Sequence, residues 1–457
     1  MARVLVVGLG SFDGGAGAAR YCALRGDEVR VTDQKTATQL ADSVAKLADL
    51  PIELVLGGHR DSDLDWAELV VKSPGVPDTA DYVVKARAKG LPFSSEMNLF
   101  LEACPARILG ITGSNGKSTT TMLAARILDH AGFRCFLGGN IGRSLLGELG
   151  GMTDRDWVVL ELSSFHLEDA AALERSPDVA VLTNLTPNHL DRHGTFEAYR
   201  RAKREIFEHQ GTLDTAVLNR DDPESVAMAA GLLGRIEWFS LDPATDARYV
   251  LDGGWLVERD ASGQPTPLLE AARLPLPGRH NLANALAAAA AARAAGADLR
   301  ATTKALGSAR ALPHRLETVG THAGRRFVND SIATTPESTI AALASFTEPI
   351  HLLLGGKDKG SPLEELAAEV KRKASSVVLT GDFGARIAPL LADAPCPVER
   401  AANFADAFAR LCRLADRGII LMSPATASYD EFRNFEARGD RFRELAAAAM
   451  RGGHDVV

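Results

Sequence analysis

Short apolar runs, each closed by a glycine, a serine or an acid, recur along the chain between alanine- and glutamate-rich stretches of helical period. The first, in RVLVVGLGSFDGGAGAARYCALRG, runs through glycines into a small-residue helix and on to EVRVTD, a second strand ending in an acid. A buried strand, a glycine turn, a helix and an acid-tipped strand open a doubly wound nucleotide-binding sheet. A further strand in AELVVKSPGVP turns at Ser73–Gly75. Such sheets take nucleotide or anionic ligands at the carboxyl ends of their strands.

A second start lies in ILGITGSNGKSTTTMLAARIL, residues 108–128, where an apolar strand enters a glycine-rich turn and a helix. WVVLELSS (157–164) and DVAVLTNL (178–185) follow, β-branched runs suited to the centre of a parallel sheet. A third region, from about residue 311, alternates RRFVNDS, IHLLLGG, SVVLTGD and GIILMSP with helices such as PLEELAAEVKRKA. The pattern predicts an α/β chain of three domains, 1–103, 104–310 and 311–457. The first and last read as Rossmann-like, the middle one as a parallel sheet of the P-loop ATPase kind.

Composition narrows this picture. At 457 residues the chain is too long for one core, and 46% hydrophobic with 24% charged residues is the balance of a soluble globular protein. A net charge of -8 gives no basic surface for nucleic acid, so an anionic ligand needs local cations or helix N-termini. Cys22, Cys104, Cys135, Cys396 and Cys412 are scattered without a CxxC pair, which fits reduced thiols in the cytoplasm rather than a disulfide framework or a zinc site. MARVLVVGLGSF reads as a buried first strand, not a signal peptide, and the alanine run near Asn284 is broken by Arg293 before it could span a membrane.

The candidate chemistry centres on the second start. A phosphate loop works because backbone N–H groups and a helix N-terminus face phosphate oxygens, a lysine adds charge, and the next hydroxyl ligates Mg²⁺. Lys117 and Ser118 stand in those places, with Gly113 and Gly116 freeing the backbone around Asn115. The spacing is a variant, since the standard pattern would want glycine where Ile111 stands. Ser118 alone cannot hold Mg²⁺ against water. Glu161, the acid inside WVVLELSS, is the obvious second ligand, and His189 in the polar turn NLTPNHLDRHG is another candidate beside Asp191, Arg192 and His193.

Taken in order, GITGSNGKST, GGNIG, LELSSFHLE, NLTPNHLDRHG, GRHNLANALAA, LPHRLE, NDSIATT, LLGGKDKG and SPATASYDEFRNFEARGDRF closely resemble the Mur ligases of peptidoglycan precursor synthesis. The resemblance covers nearly the whole chain and is strongest to the branch that adds glutamate to UDP-N-acetylmuramoyl-L-alanine. It implies a cytoplasmic, monomeric, ATP- and Mg²⁺-dependent ligase. ATP phosphorylates the substrate carboxylate, and the amino acid displaces phosphate from the acyl phosphate. Positioning and charge neutralisation then carry catalysis.

By the same resemblance, Lys117, Ser118 and Thr119 handle the ATP phosphates with Gly113, Asn115 and Gly116, while Glu161, His189 and a carbamylated Lys203 serve the metal. From residue type alone Lys203 reads as a solvated helix position. Asn284, His314, Arg315 and Asp330 gather around ATP; Gly8, Gly10, Asp33, Ser73, Gly75, Asn140 and His166 serve the UDP-sugar peptide; Thr334, Lys359, Ser428 and Phe435 receive the amino acid. The domains then bind UDP-sugar, ATP and amino acid in turn, and close around them.

Three departures from the family pattern stand out. The first glycine loop is about two residues longer than usual, His166 replaces a glutamine, and Ile332 and Thr335 replace a lysine and an asparagine. The lost cation beside the amino-acid pocket leaves D- or L-glutamate open as acceptor. A folylpolyglutamate-synthase-like enzyme shares the GSNGKS loop but lacks the UDP-binding domain, and a dinucleotide dehydrogenase rests on GLGSFDGG alone.

Overall fold

The computed structural model describes residues 1–451 except 11, 12, 74, 142, 143, 311, 312 and 359; the side chains of residues 13, 190, 191 and 337 also lie outside the description. Among the described residues twenty strands form three sheets. The chain divides into two compact units, Met1–Arg273 with Leu282–Gly307, and Leu274–Asn281 with Ser308–Val457. The first two sheets belong to the first unit.

The N-terminal sheet holds β1 (Arg3–Val7), β2 (Glu28–Asp33), β3 (Ile52–Leu56), β4 (Leu69–Lys72) and β5 (Phe93–Ser94). All are parallel, in the order β3-β2-β1-β4-β5. The chain leaves β1 toward one edge and returns past it toward the other, so the sheet reverses direction at β1. That switch point opens a crevice outside the carboxyl ends of the strands.

The second sheet holds β6 (Arg107–Thr112), β7 (Cys135–Gly139), β8 (Trp157–Glu161), β9 (Val179–Leu182), β10 (Thr215–Asn219), β11 (Arg235–Ser240), β12 (Tyr249–Asp252), β13 (Trp255–Arg259) and β14 (Pro265–Glu270). Its order is β14-β13-β12-β11-β10-β9-β6-β8-β7, parallel from β7 through β12, with β13 and β14 antiparallel at one edge. Strands β8 and β9 are buried along their whole length, which is why they read as continuous apolar runs rather than alternating ones. Gly110 lies inside β6 against Pro177, where a Cβ would stand 2.5 Å from the proline ring and 3.1 Å from Leu162. One apolar cluster runs through both sheets, including Val4, Val6, Phe100, Ile108 and Leu160. Each such buried side chain contributes about 1.5–3 kcal/mol relative to exposure.

The C-terminal sheet holds β15 (Glu317–His322), β16 (Arg325–Asn329), β17 (Ile350–Gly355), β18 (Ala374–Thr380), β19 (Val398–Arg400) and β20 (Gly418–Met422), in the order β15-β16-β20-β17-β18-β19. Only β15 is antiparallel to its neighbour. The mixed α/β class with three sheets is the expected one.

Helix starts follow capping chemistry. Ser95, Ser163, Thr195, Asp222, Thr335, Asn403 and Asn434 each accept a backbone N–H three residues on. Thr335, one of the departures noted above, therefore serves the fold directly by capping the helix Pro336–Ala344. The alanine run lies in the helix Arg279–Ala294, and among the described residues no helix is long and apolar enough to cross a membrane. All five cysteines are free thiols.

Candidate functional site

β6 delivers the chain into the turn Gly113–Gly116 and the helix Lys117–His130. Gly113 has φ +148°, and a Cβ there would lie 1.9 Å from Thr183 Oγ1; Gly116 has φ +84°, and a Cβ there would lie 2.2 Å from Asn284 Oδ1. Only glycine fits either place. Gly110, buried in β6, serves packing, so the candidate phosphate loop begins at Gly113. The loop is braced from below: Ser114 N donates to Asn184 O at 2.9 Å, Asn115 N to Asn184 Oδ1 at 3.0 Å, and Thr183 Oγ1 to Asn115 O at 2.6 Å. Ser118 is buried, Thr119 half-buried, Asn115 exposed. Lys117 Nζ donates to the carbonyls of Gly113 (3.0 Å) and Ser114 (2.9 Å), across the loop mouth.

Beside this loop lies Glu161, the last residue of β8, paired in register with Ile111. It is 1% exposed; its Oε1 accepts from Asn140 Nδ2 at 2.8 Å, while Oε2 is buried without a partner. A buried carboxylate oxygen lacking a donor fits a divalent cation of the Mg²⁺ type, which takes one or two carboxylates and keeps water or phosphate on its other positions. Among the described residues no three His, Cys, Asp or Glu side chains cluster as a metal cage. Asn140 also donates its backbone N–H to Glu161 O at 2.8 Å, so two hydrogen bonds link this candidate for the UDP-sugar to the candidate for the metal.

Lys203 is 1% exposed, not solvated, and donates from Nζ to Thr112 Oγ1 at 3.1 Å. Burial, and then the charge of Lys117, hold its ammonium pKa well below the ordinary value, with Glu161 opposing. Its Nζ stands 5.0 Å from the Tyr199 ring, one helical turn earlier, and Tyr199 OH lies 3.1 Å from Ser114 Oγ. His189 is exposed, with its ring 5.3 Å from Phe165 and 6.4 Å from Tyr199. Ser118, Glu161 and Lys203 thus gather at the carboxyl end of β6, with His189 on the rim. Tyr199, Thr112 and Asn184 are the residues that sequence reasoning missed. Only Tyr199 left a signal, its four-residue spacing to Lys203 on one helix face.

At the switch point of the first sheet, Asp33 accepts from Gly10 N at 3.1 Å and Lys35 N at 2.8 Å, and Ser73 Oγ donates to Gly8 O. Gly75 is exposed nearby in the chain. Gly8, Gly10, Asp33 and Ser73 therefore form one turn cluster, although residues 11 and 12 of the longer loop lie outside the described part. His166 Nδ1 is buried without a partner, and burial pushes its pKa down to about 4, so the imidazole is neutral near pH 7 despite Glu161.

In the second unit, Asp330 follows β16 and is 4% exposed. It accepts from Leu316 N at 3.1 Å and Ser423 Oγ at 2.7 Å, and burial pushes it up to about 7 against the pull of Ser423 and Arg315. His314 has φ +64° and stands 3.1 Å from Asn329 Nδ2; Arg315 is half-buried. Ser428 is 2% exposed, Thr334 half-buried, and Phe435 begins the helix Phe435–Met450. The buried Arg438 ties these segments together, donating to Ser331 Oγ (3.0 Å), Ser331 O (2.9 Å) and Thr426 O (3.1 Å), while Ser331 Oγ donates to Phe435 O at 2.8 Å. Arg438 and Ser331 were not singled out in the sequence. Lys359 and the Asp191 side chain lie outside the described residues. Asn284 lies with the candidate phosphate loop in the first unit, the other later ATP candidates in the second.

Three family models match the chain in sequence order. They are the Mur ligase MurD-like N-terminal domain over residues 2–95, the Mur ligase middle domain over 111–292, and the Mur ligase glutamate ligase domain over 314–426. Curated relatives include the UDP-N-acetylmuramoylalanine–D-glutamate ligase of Symbiobacterium thermophilum, 39% identical over 452 residues and covering 98% of both chains. Its counterpart from Roseiflexus sp. is 40% identical over 456 residues, 97% of this chain and 98% of the relative. Among solved structures, the UDP-N-acetylmuramate-alanine ligase MurC of Thermotoga maritima superposes with a TM-score of 0.64 at 21% identity, covering 98% of this chain and 100% of that one. The MurF ligase of the same organism in complex with ADP gives 0.60 at 18%, covering 99% and 98%. At these identities the structures speak for the fold alone. Fold and relatives define the class, an ATP-dependent ligase. The chain belongs to the Mur ligase family.

Proposed function

We propose that this ligase joins D-glutamate to the carboxylate of UDP-N-acetylmuramoyl-L-alanine, consuming ATP, in cytoplasmic peptidoglycan precursor synthesis. Relatives 38–40% identical over nearly the full chain carry that activity in their names. In this reading the alanine carboxylate attacks the γ-phosphorus of ATP, ADP leaves, and an acyl phosphate forms. The glutamate amine adds to the acyl carbon, the tetrahedral oxyanion collapses, and phosphate departs as the nitrogen loses its proton.

The observation that carries this reading is Lys203. Burial disfavours the ammonium form of Lys203, which suits its amine to take up carbon dioxide: an N–C bond would form, a proton would leave, and the carbamate would stand beside Thr112. Lys117 and the N-terminus of its helix face charge developing on the phosphates, with Gly113, Asn115, Gly116 and Thr119 shaping the cradle. Ser118, Glu161, His189 and the carbamylated Lys203 would hold Mg²⁺, which when bound neutralises phosphate charge.

Residues 1–103 would take the UDP-sugar through Gly8, Gly10, Asp33, Ser73 and Gly75, with Asn140 and His166 from the next domain. Residues 104–310 would take ATP, with Asn284 and, from 311–457, His314, Arg315 and Asp330. Thr334, Lys359, Ser428 and Phe435 would receive the glutamate in 311–457. The working enzyme is a monomer in this reading. Phosphate release is measured with ATP, Mg²⁺, UDP-N-acetylmuramoyl-L-alanine and either glutamate isomer. Release with D-glutamate alone is expected, release with L-glutamate alone turns the reading to the L-specific variant, and release with neither overturns it.

A further inference from the structure

The backbone of His189 is unusual. It is a non-glycine residue at φ +53°, a left-handed conformation that costs about 1–2 kcal/mol, and its carbonyl accepts from both Arg192 N (3.1 Å) and His193 N (3.0 Å). Such strain persists only where surroundings over-determine it. The surroundings here are anchored at His193, four residues on, whose side chain is 1% exposed.

His193 Nε2 lies 2.9 Å from Ser164 Oγ, and Ser164 stands three residues beyond Glu161 at the start of the helix Ser164–Ala170. Its Nδ1 lies 3.2 Å from Glu168 Oε1, a contact too poorly aligned to be a hydrogen bond. The imidazole stacks on Phe165, with centroids 5.3 Å apart and planes 5° apart, and meets the edge of Tyr199 at 5.3 Å. Phe165 in turn carries Arg192 on its face at 4.0 Å and the His189 ring at 5.3 Å. One buried imidazole therefore joins the segment leaving Glu161, the helix carrying Lys203 and the strained turn carrying His189.

We propose that His193 is the positioning residue for His189: through Ser164 and the Phe165 and Tyr199 rings it fixes the turn so that the His189 imidazole meets the cation beside Glu161. The inference rests on the metal-site reading above. Hydrogen bonds and stacking behind a ligand set its orientation, and losing such support typically costs about tenfold or more in metal affinity.

The test uses Mn²⁺ as probe, its binding to the full-length protein with ADP followed by electron paramagnetic resonance, alongside thermal melting. His189→Ala should lose Mn²⁺ affinity. His193→Phe keeps both ring stacks but not the bond to Ser164, and should bind Mn²⁺ about tenfold more weakly with an unchanged melting temperature. Ser164→Ala removes the same bond from the other side and should show the same loss, which decides the matter even if His193→Phe does not fold. His193→Gln can still reach Ser164 and should recover most of the affinity. Wild-type affinity in His193→Phe and Ser164→Ala, with loss in His189→Ala, overturns the proposal alone. Wild-type affinity in His189→Ala overturns the metal-site reading and the proposal with it.

Discussion

Glu161 and Asp330 are both buried carboxylates at the carboxyl end of a parallel strand, one in the second sheet and one in the third, yet their surroundings differ in kind. Asp330 has both oxygens filled by neutral donors, Leu316 N and Ser423 Oγ, and burial pushes it up to about 7. Glu161 has one oxygen on the Asn140 amide and one with no donor, and its charge acts on the buried Lys203. Burial alone therefore does not mark a ligand. The open oxygen is what makes Glu161 the candidate ligand of the two, because a buried carboxylate oxygen without a donor needs a cation to offset lost hydration.

The difference can be broken from the Glu161 side first. Lys203→Ala should lower the rate of phosphate release by about a hundred- to a thousandfold, with bicarbonate or short carboxylic acids restoring part of it. A variant that keeps the full rate would remove Lys203 from the site. Glu161→Gln keeps the shape and the Asn140 contact without the charge; a rate loss of about tenfold to a hundredfold and a raised Mg²⁺ requirement are expected in a Mg²⁺ titration. Gly113→Ala sharpens the backbone side of the same region. Its new Cβ must push Thr183 away, so a loss of about 1–3 kcal/mol should appear in denaturant melts together with weaker ATP binding.

A separate, pH-dependent effect belongs to Asp330. Its folded pKa near 7 lies above the ordinary value of about 3.9, so the folded chain holds the proton more tightly than the unfolded one. Its contribution to stability is full below about pH 3.9 and is lost as the pH rises through about 7. Melting temperatures of the ligand-free protein should fall across that window, and Asp330→Asn should make the fall shallower. An equal slope in both proteins would show that Asp330 ionises freely in the fold.

Residue pattern carried the fold well where strands are buried on both faces. β1, β2, β6, β8, β9, β16, β17, β18 and β20 each sit on an apolar run read from the sequence. The antiparallel edge β12–β14 escaped that reading: its short strands mix Arg, Glu and Pro with apolar residues, and a two-glycine turn at Gly253–Gly254, both at positive φ, was the available signal. In the candidate site, the loop residues could be singled out because glycine, lysine and serine in that order have few other uses. Lys203 was not legible by type, since a lysine on a helix with Arg200, Arg201 and Arg204 looks solvated until tertiary packing buries it. Arg438 is the same case in the third sheet, a cation whose partners lie on segments distant in sequence.

Gly110 has a practical consequence for anyone reshaping this enzyme. With Pro177 and Leu162 already occupying the space of its absent side chain, this position in β6 is closed to every other amino acid unless the opposite wall is rebuilt too. A library that varies the candidate phosphate-binding turn should leave it fixed together with Gly113 and Gly116 and concentrate on the exposed Asn115, where variation alters chemistry instead of collapsing the floor beneath it.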